Sequence, residues 1–348
     1  MPTISIDTFF ACTIMIAVVI GATVLSSEIL GAHVAEYQNL NEDDYLRALA
    51  ENILLNDGVP TDWGSNGSII PSSFGLAKNG SPSSTELDID KISRLNSQNA
   101  FALTYPELLD AARLNDIALG VSVTQLLDVS VTPYSNDTSG NFTTYVFEVS
   151  VTEDSAPVSA SLNCYAVANN FLSSINGSTS SDGVGYVDAE IPNASNGTAS
   201  LIVFARAAYD SRMTAYAVYL FENLSTDQLP TNSFLRLSPL DYTLWVNSNY
   251  SDINLENAYA FSYDYGSNLT PCSNSTYAIP SFLDNSPIVL VLTGVNASTY
   301  FIEWTAYPQI PFDAGADFTN AECHSFSYVV SVGGEFYSLE LRFGGLNQ

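Results

Sequence analysis

The sequence predicts a mostly β protein headed by a long N-terminal α-helix, with two β-sandwich domains after it. Three observations carry this. Residues Thr8 to Ser27 hold no formal charge. From about Val121 the pattern changes to short runs in which apolar and polar residues alternate, broken by Gly, Asn and Asp turns. At 348 residues and 46% hydrophobic, the chain is long enough to bury more than one core. The expected parts are a hydrophobic, then amphipathic helix over 1–58, a connector with short helices over 59–120, a first sandwich over 121–227 and a second over 228–348.

The uncharged opening run matches the roughly 20 residues needed to cross about 30 Å of hydrocarbon. A cleavable secretory signal is the rival reading, but no basic segment opens the chain and no small-x-small site is followed by a mature start. Apolar residues continue at helical spacing through Val34, Tyr37, Tyr45, Ala48, Leu49 and Ile53, with Glu36, Glu42, Asp43 and Glu51 filling the gaps. "LLNDGVP" is the expected stop, with Gly58 as a left-handed cap and Pro60 just beyond. Unbroken from Ile4 to Asn56, such a helix would be about 80 Å long. Gly31 and the acidic "NLNEDD" are where it would bend or restart, Asn41 and Asp44 forming an N-cap pair.

The connector is Gly-, Ser- and Pro-rich, then carries two short helical patterns, "DIDKISRLNS" and "TYPELLDAARLND". After it come the strand patterns "LLDVSVTPY", "FTTYVFEVSVTED", "VSASLNCYAV", "GVGYVDAEIP" and "ASLIVFARAAYD". Past "ENLSTDQLPTNS" a second series begins: "DYTLWVNSNY", "NAYAFSYDY", "SPIVLVLTGV", "TYFIEWTAYP", "HSFSYVVSVGG" and "EFYSLELRFGG". Tyr and Phe in this series alternate in the way cross-strand packing requires, and only secondarily in the way a sugar-binding platform would.

Two resemblances follow. The opening "ISIDTFFACTIMIAVVIGATV", with "ENILLNDGVPTDWG", "FGLA", "LDIDKISRLNS" and "TYPELLDAARLN" in that order, resembles archaeal type IV pilin-like surface proteins over roughly residues 1–120. It departs at two points. The acid usual at the fifth mature position is here Asp7, with Ser5 in the fifth place, and no basic leader precedes it, so the numbering is expected to start at a processed end or the processing to be unusual. Further on, "TEDSAPVSASLNCYAV" followed by "STSSDGVGYVDAEIP" resembles the Ig-like, transthyretin-like modules of surface proteins, with Asp182 and Gly183 as the turn. A calcium loop at that turn lacks ligands at the right offsets.

The pilin resemblance implies N-terminal helices bundled in a filament core. Physically, an uncharged helix outside a bilayer stays dry only against copies of itself. Asp7, Phe9, Phe10, Ile14, Val18 and Ile20 are the expected assembly residues. With no Lys or Arg before Arg47, Asp7 has only the N-terminal amine as a nearby fixed cation, which is also the pairing that the resemblance implies.

Charge narrows the partners. Asp+Glu number 37 against Lys+Arg 9, a formal net charge of −28, so nucleic acid is not expected. A lysine-poor, Asn- and Ser-rich surface suits the outside of a cell, and twelve N-x-S/T triplets open at Asn66, Asn79, Asn136, Asn141, Asn176, Asn193, Asn196, Asn223, Asn249, Asn268, Asn274 and Asn296. Covalent N-linked glycans are therefore expected, and no cofactor. Among the cysteines, Cys12 reads as a small hydrophobe, Cys164 as a buried strand thiol, and Cys272 with Cys323 as a disulfide. Zinc at Cys323 and His324 lacks a completing ligand set. No G-x-S-x-G elbow or phosphate loop is present and the only histidines are His33 and His324, so no enzyme is expected. The leading expectation is a subunit of an extracellular type IV pilus-like filament, assembled from identical subunits that sit in the membrane beforehand and are handled by the pilus machinery. The alternative is a membrane-anchored monomeric adhesin or envelope protein, with an anchored hydrolase last.

Overall fold

A computed structural model describes residues 15, 42–81, 83, 85–224, 234–297, 299–318 and 323–345. The chain divides into two compact units, Met1–Glu51 and Asn52–Gln348. In the first, residues 42–51 are helical, and the second opens on 52–55, also helical; we label 42–55 α1. Leu46 and Ala50 are buried in 42–51, and Ile53 and Leu54 in 52–55. Of the stripe expected from sequence, Ile53 is buried, Leu49 half-buried, and Tyr45 and Ala48 exposed, Tyr45 at 58%; Val34 and Tyr37 lie outside the described residues. Gly58 does take the left-handed conformation, at φ 75°.

The fold class expected from sequence is corrected here. Among the described residues the helices are short and no helix is long and apolar enough to cross a membrane. The described structure is mostly strand, because the long middle and end of the chain put their apolar side chains into sheets. Residues 1–14 and 16–41, where most of the long helix was expected, lie outside the described residues.

In the second unit the connector holds β1 (Glu86–Leu87), α2 (Ile89–Ser93) and α3 (Tyr105–Ala112), both helices where the sequence predicts them. The Asp88 carboxylate caps α2, accepting from the amides of Asp90 and Lys91 at 3.0 and 3.1 Å. Thr104 and Glu107 form a capping box at the start of α3.

The β series builds a four-layer stack. Its outermost sheet is β3 (Asp128–Ser139), β4 (Phe142–Glu153) and β8 (Val184–Pro192), with the short β5 (Ala156–Pro157) on β4. Under it lies the sheet β10–β9–β6–β7, made of β6 (Ala160–Ala168), β7 (Phe171–Ser178), β9 (Gly197–Ala207) and β10 (Thr214–Asn223). Phe147, Val149, Leu162, Cys164, Val187, Leu201 and Val203 fill the space between them. The third layer is β14–β13–β17–β18: β13 (Ile253–Phe261), β14 (Gly266–Asn268), β17 (Ile288–Asn296) and β18 (Thr299–Tyr307). The fourth is β11–β12–β16–β15: β11 (Leu235–Leu240), β12 (Thr243–Ser248), β15 (Thr270–Ser273) and β16 (Thr276–Ala278). Leu237, Leu244, Leu290, Leu292 and Phe301 close the core of that second sandwich.

The two sandwiches are joined by a third core. Tyr165, Val167, Ile202 and Phe204 on β6 and β9 meet Phe261, Val289, Val291, Tyr300 and Ile302 on β13, β17 and β18. Successive residues of a strand point to opposite faces, so β9 gives Leu201 and Val203 to one core and Ile202 and Phe204 to the next. Both faces buried, such strands read as unbroken apolar runs, "SLIVFA" and "IVLVL", rather than alternations.

A fifth sheet stands outside the stack, in the order β1–β20–β21–β2–β19. It joins β2 (Ile117–Gln125) to β19 (Phe312–Gly315), β20 (His324–Val332) and β21 (Glu335–Gly345). The last strands, expected in the second sandwich, thus pair with β1 and β2; Val121 sits opposite Leu341.

Candidate functional site

The sequon asparagines are the first group to place. Asn66, Asn79, Asn136, Asn141, Asn176, Asn196, Asn249, Asn268 and Asn274 are exposed, and Asn193 and Asn296 are half-buried. Asn223 is fully buried and its carboxamide is used internally. Its Nδ2 donates to the carbonyls of Pro192 and Ser195 at 3.2 and 2.7 Å, and its Oδ1 accepts from the Tyr145 hydroxyl at 2.9 Å. The expectation of a glycan at Asn223 is corrected on that ground, since the nitrogen to be modified faces inward. Three sequons converge at one hairpin tip: the Thr138 and Thr143 hydroxyls, which complete the Asn136 and Asn141 triplets, lie 3.0 Å apart, and Thr143 donates to Asn193 Oδ1 at 2.9 Å.

The cysteines differ from expectation in one respect. Cys164 is buried in the first sandwich, and burial pushes its thiol up to about 12, so it is inert. Cys272 and Cys323 are both free thiols. The disulfide expected from their place in the last third of an extracellular chain is corrected: Cys272 lies on β15, in the fourth layer, while Cys323 leads into β20 of the fifth sheet. Cys12 and His33 lie outside the described residues, as do the assembly residues Asp7, Phe9, Phe10, Ile14, Val18 and Ile20.

Asp182 and Gly183 form the turn expected between β7 and β8. Gly183 has φ 75°, and a Cβ there would come within 2.6 Å of the Val151 carbonyl oxygen. Asp182 Oδ1 accepts from the Val184 amide at 3.2 Å and from the Ser180 hydroxyl, so local donors occupy that oxygen. Among the described residues no three His, Cys, Asp or Glu side chains come together as a metal site.

A buried polar cluster around α2 was not anticipated. Lys91 is fully buried and donates from Nζ to the carbonyls of Asp57 and Ala77 at 2.7 and 2.8 Å. Arg94 donates to the carbonyls of Phe101 (2.9 Å), Asn66 (3.0 Å) and Trp63. Asp90 accepts from the Tyr307 hydroxyl at 2.8 Å and the Asp241 amide at 2.9 Å, and burial lifts its carboxyl to about 6. Asn99 and Gln309 complete the cluster, joined at 2.7 Å. Buried loop carbonyls need donors, and these two cations supply them. The only signal in the sequence was two of nine scarce cations inside one helical pattern, "DIDKISRL".

Aromatic side chains mostly pack. Tyr259 stacks on Phe261 at 5.7 Å, and Tyr242 meets Tyr307 edge-on at 5.4 Å. One pair is open: Tyr134 and Tyr186, 66% and 53% exposed, sit 5.1 Å apart on the outer sheet, where Tyr186 donates to Glu148 at 2.9 Å.

No family model matches the chain, and no curated protein matches it. Among solved structures it is similar to HBP35 of Porphyromonas gingivalis, at 13% identity over 52% of this chain and 63% of that one, with a TM-score of 0.19. The chain thus spans less than two thirds of that protein, and a likeness of this size carries no argument about fold or function.

Proposed function

We propose that this chain is a structural subunit of an extracellular, type IV pilus-like filament, with its β stack carrying N-linked glycans outward. The observation that supports it most is the position of the sequons: eleven of twelve asparagines are exposed or half-exposed, and a glycan needs a nitrogen that faces solvent. The acidic, neutral-polar composition fits the same setting. The uncharged segment Thr8–Ser27 is the part of the sequence fit to hold subunits together.

Electron microscopy of material sheared from cells tests the reading. Regular fibres containing this chain are expected, and Val18→Lys should abolish them while the β stack keeps its circular dichroism. Fibres of normal length from the variant would remove the apolar segment from the assembly. Extraction by detergent alone, without fibres, would favour an anchored monomer.

A further inference from the structure

The edge of the second sandwich holds a cleft of about 430 Å³, between β11, β18 and the loop after α2. Its volume falls in the range of small-ligand sites, roughly 300–1,000 Å³. Ser97, Gln98, Arg236, Trp304 and Thr305 line it. Arg236 is held by main chain: Nε donates to the Gln98 carbonyl at 2.8 Å, and Nη2 to those of Ser97 and Asn99 at 3.1 and 2.7 Å. Its Nη1 has no hydrogen-bond partner among the described residues, and no described carboxylate pairs with it, whereas Lys78, Arg206, Arg212 and Arg342 each have one.

That arrangement is a fixed cation with donor capacity to spare, in a chain whose carboxylates outnumber its cations about fourfold. Trp304, also on the cleft wall, is the one partly buried residue in an otherwise buried stretch of β18; one side of it packs against the seam core, where Tyr216 braces it edge-on at 6.3 Å. Thr305 Oγ1 accepts from Gln309 Nε2 at 2.8 Å, which leaves its own proton to donate. The Gln98 amide and Ser97 hydroxyl add neutral polar groups.

We infer that this cleft binds a carboxylate-bearing sugar of the uronic acid type. A guanidinium matches a carboxylate in geometry as well as charge. An indole offers a flat apolar surface to the C–H face of a pyranose ring, and the amide and hydroxyls suit ring hydroxyls. The overall negative field repels anions in general, so the site selects through local contact. The inference does not depend on filament assembly.

The test uses the full chain, a tetramer of glucuronic acid and the methyl ester of the same tetramer, followed by calorimetry and tryptophan fluorescence. Saturable binding of the acid is expected, weakened about tenfold or more in the ester and in Arg236→Gln, where the charge pairing is gone. Trp304→Leu should lose the fluorescence change and Trp245→Phe should keep it; Trp63 is buried elsewhere, and Trp245, 41% exposed on β12, packs edge-on against Phe101. Equal binding of acid and ester, or no saturable binding of the acid, would overturn the proposal. Inorganic sulfate competing as well as the sugar acid would reduce the site to a simple anion site and overturn the sugar assignment. Should Arg236→Gln fail to fold, the acid-against-ester comparison on the unaltered chain still decides.

Discussion

Asn223 shows how a residue can carry a modification motif and yet be committed elsewhere. Its three hydrogen bonds tie the end of β10 to Tyr145, Pro192 and Ser195. Asn223→Ala should cost about 1–3 kcal/mol, since it leaves buried acceptors unpaired; urea denaturation measures this. Peptide mass spectrometry should find Asn223 bare while other sequons carry mass. Two buried carboxyls set a second expectation at this scale. Burial holds Asp90 up from 3.8 to about 6 and Glu335 up from 4.5 to about 7. Asp90 faces Tyr307 and Asp241; Glu335 faces Thr214, Arg206 and Asp284. With folded values raised, the folded state holds these protons more tightly than the unfolded chain does, so stability is fullest below the ordinary values. It falls as pH rises from about 4 to 7. The melting temperature should therefore be higher at pH 5 than at pH 8, and Asp90→Asn with Glu335→Gln should flatten the difference. A melting temperature that climbs with pH would contradict the assignment.

At the scale of elements, strand partners decide what strand patterns leave open. Cys272 and Cys323 looked like a pair because both fall in the last third of the chain, yet their strands belong to different sheets. Both thiols should react with maleimide in the native, unreduced protein, and a peptide map showing them joined would refute this. Most strands were legible, since "FTTYVFEVSVTE" or "EFYSLELRF" alternate over the length of β4 and β21. The turn at Asp182 and Gly183 was legible from its residue types. Which sheet a strand joins was not, because pairings such as Val123 with Phe312 are made between residues far apart in sequence and leave no local period. The cluster around Lys91 and Arg94 was hidden for a related reason: the carbonyls it satisfies lie in loops at Asp57, Trp63, Ala77 and Phe101. The cleft at Trp304 was equally hidden, since Arg236 and Gln98 meet only through the fold.

For the whole β unit, the central core alters what the word domain means. Two sandwiches that met only at their rims would unfold separately. Here Tyr165 and Phe261 stack at 4.6 Å across the seam, and Ile202, Phe204, Val289 and Val291 are completely buried there. Separating the sandwiches would expose a full apolar layer, at roughly 25 cal/mol for each Å². Urea unfolding followed by far-ultraviolet circular dichroism and by tryptophan fluorescence should give coincident curves with one midpoint. Two separated transitions would show that the seam is weaker than its packing implies.

The fifth sheet sets an order of events on the ribosome. Ser122 on β2 finds its partner Phe312 only 190 residues later, and β21 follows that. At about 5–20 residues per second of synthesis, Leu119, Val121 and Val123 wait roughly ten to forty seconds with no strand beside them. Until the last strands emerge, β2 is a bare apolar edge that a chaperone would hold open.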